Sequence, residues 1–103
     1  MYKVCCFVPE NSSEAVKLAM FNAGAGRIGN YEHCSFETKG VGQFRAMKGA
    51  NPAIGSVGEL EKVVELKIEM VCADHLIKEV IRAMKAAHPY EMPAYDVFKM
   101  EDL

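Results

Sequence analysis

Only three side chains, His33, His75 and His88, ordinarily change charge near neutral pH, and proton-transfer or metal chemistry would start from them. His88 and Glu91 stand three apart in the stretch HPYE, where an imidazole and a carboxylate could bind one divalent metal or polarise one substrate. Two ligands do not complete a site, and Pro89 between them supports a plainer reading, a turn that ends a helix. His75 falls on the solvent side of an expected helix. No Ser-His-Asp order, no carboxylate pair arranged for acid–base work and no H-E-x-x-H pattern occurs. The run Gly24–Ala25–Gly26–Arg27–Ile28–Gly29 matches G-x-G-x-x-G letter for letter. That pattern holds a dinucleotide when it follows a strand and opens a helix, so that the helix N-terminus faces the pyrophosphate. Here the glycines follow a helix and lead toward a strand, which makes them stop and turn signals. Arg27 remains as a cation able to hold an anion. The second glycine-bearing loop, Gly49–Ala50–Asn51–Pro52–Ala53–Ile54–Gly55, lacks the G-K-[ST] ending of a phosphate loop. Its glycines permit close approach of a ligand or a neighbouring subunit, and Asn51 before Pro52 starts a turn.

Four cysteines, at 5, 6, 34 and 72, form neither C-x-x-C nor a Cys–His zinc spacing. Cys5 and Cys6 are neighbours in a strand-like run and point to opposite faces. Cys34 and Cys72 fall in expected strands as small apolar residues, so all four are expected to be free thiols of a reducing cytoplasm. The methionines are scattered, with Met70 and Met84 on core faces, and read as core filler rather than copper ligands.

Positioning these residues falls to a short series of elements. Tyr2 to Val8 is apolar on both alternating sides, the pattern of a central strand covered on both faces, and Pro9 ends it. Asn11, with Glu14 three residues on, predicts a capped helix to Ala23 with Gly24 as its left-handed stop. Val16, Ala19, Met20 and Ala23 make one face of that helix. Leu18 and Phe21 lie on the opposite side among Glu14, Lys17 and Asn22, so either a loop covers them or a second subunit does. From Glu32 the alternation returns; Lys39–Gly40–Val41–Gly42 supplies turn chemistry and Gln43 to Met47 reads as the partner strand of a hairpin. Residues 48–58 form a long loop. Lys62 to Cys72 is the cleanest strand, with Val64, Leu66, Ile68, Met70 and Cys72 facing in. Asp74 predicts the cap of a second helix whose apolar face is Leu76, Ile77, Val80, Met84 and Ala87. Pro89 stops it and sets His88 extended, and Ala94 to Met100 closes the order β-α-β-β-β-α-β. Two helices on one face of a mainly antiparallel sheet make a ferredoxin-like α+β sandwich, with one strand more than the plain fold. Either loop 48–58 carries the chain back across the sheet, or residues 42–47 run beyond it as an arm.

All 103 residues are read as one domain, 1–103. A net charge of −2, with 50% hydrophobic and 25% charged residues, describes a globular chain rather than a disordered one. No Lys/Arg stripe is present, which argues against nucleic acid as the main partner. The longest apolar run, Val4 to Pro9, is far short of the ~18 residues of a membrane helix, and no cleavage site follows Lys3. A cytoplasmic location is expected, with no membrane partner. A chain of this size buries roughly 60–70% of its unfolded surface, so association would add stability.

Four ordered stretches, GAGRIGNYEHCSF (24–36), GANPAIG (49–55), VGELEKV (57–63) and AHPYEMPAYDV (87–97), resemble the NGG-one-interacting-factor-three family. The likeness is to a stand-alone version of the CutA-like domain inserted in its longer members, and it covers nearly the whole chain. It implies a ferredoxin-like fold with CutA and PII relatives, and trimers built through sheet edges and loops. The recurrent family positions carried here are Arg27, Asn30, Tyr31 and His33 in the first stretch, Asn51 in the second, and His88, Tyr90 and Glu91 in the last. Met92 stands where the family shows a second acid, which weakens a paired-carboxylate site beside His88. The di-metal site of longer members lies in halves outside these residues, and the cyclohydrolase label attached to the family does not carry over with the insert. The resulting expectation is a homo-oligomer, a trimer by preference, that binds a small molecule or protein in clefts between subunits, with binding favoured over catalysis. Its alternative is a metal-binding or metal-dependent protein using His33, His88 and Glu91 brought together between subunits. No cofactor is required by the sequence, and a divalent metal stays open.

Overall fold

The computed structural model describes all 103 residues, which form β1 (Tyr2–Pro9), α1 (Ser13–Asn22), β2 (Phe36–Arg45), β3 (Leu60–Cys72), α2 (Ile77–Ala87) and β4 (Tyr95–Lys99). The strands make one sheet in the order β2-β3-β1-β4, antiparallel at every neighbouring pair. This is the ferredoxin-like β-α-β-β-α-β arrangement, and the expected fifth strand is absent. Lys39–Gly40–Val41–Gly42 does not turn: β2 runs straight through it, from Phe36 opposite Glu69 to Arg45 opposite Leu60. The glycines remove side chains instead of bending backbone. A Cβ on Gly42 would lie 1.9 Å from Oε1 of Glu65, whose side chain crosses over that position. The β2–β3 pair therefore extends as an arm, and the molecule measures 46 Å along its longest axis against 24 Å across.

The core follows from strand alternation. Val4, Cys6 and Val8 of β1 pair with Met70, Ile68 and Leu66 of β3 and turn to the same face. There they are buried against Val16 and Met20 of α1 and Val80 and Met84 of α2. Each such side chain contributes about 1.5–3 kcal/mol relative to exposure. Val64, expected inside, is exposed because the arm carries it away from the helices. All four cysteines are free. Cys6 lies in the core while Cys5 faces the other way opposite Glu69. Burial, then the adjacent Cys5, pushes the Cys6 thiol up to about 12, and burial also raises Cys5 and Cys72. Cys34 is not in a strand; it is half-buried in the segment before β2.

Neither expected cap forms. Each helix is preceded by a 3-10 turn, Glu10–Ser12 or Asp74–Leu76, and neither helix start has a side-chain cap bond. Ser13 Oγ instead donates to the carbonyl of Glu10 at 2.8 Å. Asp74 instead accepts from Lys99 Nζ at 2.6 Å and from the amino group of Met1. Lys99, then that amino group, draws the Asp74 carboxyl down to about 2. Of the two residues proposed for a subunit contact, Phe21 is 9% exposed, covered by the chain between α1 and β2, and its ring stacks on His33. Leu18 stays open at 52%.

Candidate functional site

β1 runs between two groups of the sequence-selected residues. At its start, Gly26 N–H donates to the carbonyl of Val71, a residue opposite Lys3. This bond ties down the segment carrying Arg27, Asn30, Tyr31 and His33, all exposed. Ile28 and Tyr31 exchange two backbone bonds at 2.9 Å, a tight turn that presents Gly29 and Asn30. His33 takes a left-handed φ of 58° and stacks on Phe21 with centroids 4.6 Å apart and planes 11° from parallel.

At the other end of β1, His88, Tyr90 and Glu91 meet Asn51. His88 leaves α2 with ψ 138°, the extended conformation required before Pro89. Its ring is 6% exposed, with Nε2 2.7 Å from the Phe7 carbonyl and Nδ1 3.1 Å from Tyr90 N. A carbonyl only accepts and an amide N–H only donates, so Nε2 carries the proton and Nδ1 accepts. Both nitrogens are occupied within the chain. His88 is a clip joining the turn after α2 to the end of β1, which removes it from the proposed metal set. His33 lies at the far end, and no three His, Cys, Asp or Glu side chains are grouped to hold an ion.

Glu91 Oε1 accepts the Asn51 N–H at 3.1 Å, holding the loop after β2 against the HPYE turn. Tyr90 donates its hydroxyl to Oε2 of Glu65 at 3.2 Å and sets its ring edge-on to Phe44, with centroids 5.8 Å apart. Between these groups opens a cavity of about 280 Å³. Phe7, Phe44, Pro52, Tyr90 and Met92 form its walls, with the carboxylates of Glu65 and Glu91 at its lining. Phe7, Phe44 and Glu65 carry no signal of this role in the sequence, and Met92 stands out there only as the missing second acid of the HPYE stretch. Gly42 was a local signal for this place, because a bare strand position marks a close approach.

Burial first, and the Glu65 carboxylate beside it second, push the Tyr90 phenol up to about 12. The folded protein therefore holds this proton more tightly than the unfolded chain, whose tyrosines ionise near 10. The stabilisation is complete below about pH 10 and is lost as pH rises through about 12. Tyr90 is expected to ionise near 12 in an NMR titration, and Glu65→Gln to bring its midpoint part of the way back. A native Tyr90 midpoint near 10 would contradict the arrangement.

No protein-family model matches the chain. Curated relatives do. It is 54% identical over 94 residues to a GTP cyclohydrolase 1 type 2 homolog of Mycobacterium tuberculosis, covering 91% of this chain and 25% of the relative. It is 48% identical over 99 residues to the homolog of Bacillus subtilis, covering 96% and 26%. The chain thus spans about a quarter of the length of these relatives. Among solved structures, a Bacillus cereus protein related to NIF3 superposes with a TM-score of 0.84 at 44% identity, over 98% of this chain and 26% of that one. CutA1 from Pyrococcus horikoshii superposes with a TM-score of 0.71 at 18% identity, over 100% and 86%, a likeness of fold alone.

Proposed function

We propose, on the premise that this chain belongs to the NIF3-related family and corresponds to the CutA-like quarter of its longer members, that it is an oligomeric binding module. A trimer is the favoured assembly, and the cavity at the end of β1 is the small-molecule site. The observation that carries the reading is the bare face of the sheet. Both helices pack on one side, and on the other Phe36 is 69% and Phe98 55% exposed. Strand register puts both rings on this helix-free side, Phe36 opposite Glu69 and Phe98 opposite Lys3. The outer edges of β2 and β4 have no partner strand within the chain. Exposed aromatic rings beside unpaired edges favour association between copies. Leu18 offers a lesser second contact, and Phe21 offers none.

The reading assigns no catalysis. His88 is committed on both nitrogens, and the cyclohydrolase in the relatives' names belongs to proteins about four times as long. No helix is long and apolar enough to cross a membrane. The absence of a basic stripe and the free thiols support a cytoplasmic module that engages neither nucleic acid nor lipid.

Light scattering after size exclusion at micromolar concentration is expected to give three chain masses. Phe36→Asp combined with Phe98→Asp is expected to give one, with unchanged far-UV dichroism. A wild-type chain that runs as a monomer removes the proposal.

A further inference from the structure

Resting on the reading of the cavity as a ligand site, we propose that it takes a small organic monocation with a flat apolar body, of the arylamidine or arylalkylamine class. Two carboxylates line the cavity, and neither is paired with a cation: no ion pair in the fold involves Glu65 or Glu91. Each spends one oxygen on a neutral donor, Glu65 Oε2 on the Tyr90 hydroxyl and Glu91 Oε1 on the Asn51 amide. The other oxygen of each keeps its acceptor capacity. Arg45 is the one basic residue of the lining, and it forms no ion pair with either carboxylate.

The remaining walls are the rings of Phe7, Phe44 and Tyr90, whose faces attract a cation that has lost water. An anion meets two like charges here, and a neutral ligand gains only the apolar walls. The volume, about 280 Å³, sits at the low end for ligand pockets and suits a single ring with one charged substituent.

Three probes of nearly one shape and different charge test this: benzamidine, benzamide and benzoate, titrated into the full chain with amide resonances recorded. Benzamidine is expected to shift resonances around Ala46, Ala50 and Ala94 and to bind about tenfold more tightly than benzamide, a difference of about 1.4 kcal/mol. Benzoate should bind weakest, and added salt should narrow the gap. Glu65→Gln keeps an acceptor for Tyr90 and is expected to erase most of the preference for benzamidine over benzamide; Glu91→Gln should erase the rest. If benzamide or benzoate binds as well as benzamidine, or the preference survives both substitutions, the charge assignment is wrong while the small-molecule site stands. If none of the three shifts these resonances, the site itself falls with it.

Discussion

Replacing His88 with alanine is expected to destabilise the fold by about 3–4 kcal/mol, the largest single loss at the candidate site. The substitution removes the partner of the Phe7 carbonyl and the partner of the Tyr90 amide together. A buried polar group left unpaired costs about 1–3 kcal/mol, and here two are left beside the space vacated by the ring. In a domain of this size that corresponds to a fall in melting temperature of roughly 15 °C. His88→Gln separates the bonds from the volume, because its amide N–H can reach the Phe7 carbonyl. It is expected to recover about half of the loss. Urea unfolding monitored by dichroism gives both values. The same experiment discriminates a clip from a metal ligand, since a ligand site would be stabilised by added divalent ion in proportion to occupancy. Wild type is expected to be indifferent to millimolar zinc or manganese, whereas an alanine variant within about 1 kcal/mol of wild type would refute the clip.

The elements that sequence placed well are those whose pattern is enforced by one buried face. β1 and β3 alternate because their residues meet pairwise, Val4 with Met70 and Cys6 with Ile68, so every second position must be apolar. β2 carries no such constraint. It lies at the sheet edge with nearly every residue exposed, and its Lys-Gly-Val-Gly run has the composition of a turn while performing a different task. The helix starts differ from the sequence pattern for a related reason. An Asn or Asp ahead of an apolar helix resembles a cap, yet a 3-10 turn at each start moves these residues off the capping position. Helical periodicity leaves Phe21 to either a loop or a second subunit, because it describes one helix and not the chain that returns over it; in the structure that chain covers Phe21 and leaves Leu18 open.

The cavity was only half legible. HPYE and the Asn-Pro loop stand out by composition, and both contribute to it. Phe7, Phe44 and Glu65 are unremarkable in their own segments and acquire meaning only when antiparallel pairing brings β3 between β1 and β2. Arg27, Asn30 and Tyr31 form a separate exposed group at the opposite end of β1. A single pocket within one chain cannot use both groups; the ends can meet only if one copy's first group approaches another copy's cavity.

Gly26→Ala is expected to cost about 3 kcal/mol, against about 1 kcal/mol for Gly29→Ala in the same motif. Both glycines have positive φ, 76° and 56°, so an alanine at either bears the left-handed strain of about 1–2 kcal/mol. Their surroundings differ. A Cβ on Gly29 meets nothing within 4 Å, whereas on Gly26 it falls 2.8 Å from the Cys34 carbonyl oxygen and 2.8 Å from the Phe21 ring. Neither neighbour can retreat freely. Cys34 is held by its own N–H bond to the Gly26 carbonyl at 2.8 Å, and Phe21 lies between the core and His33. Relief must therefore come from displacing the whole segment, loosening the Gly26–Val71 bond that anchors it to β3. Denaturant unfolding of the two variants measures the difference, and loss of the ring-current shift on His33 reports the displaced Phe21. A phosphate-cradling loop would behave in the opposite way, with Gly26→Ala abolishing nucleotide binding and changing stability no more than Gly29→Ala. Equal costs at the two positions would contradict this account, because close packing at Gly26 is what sets it apart from Gly29.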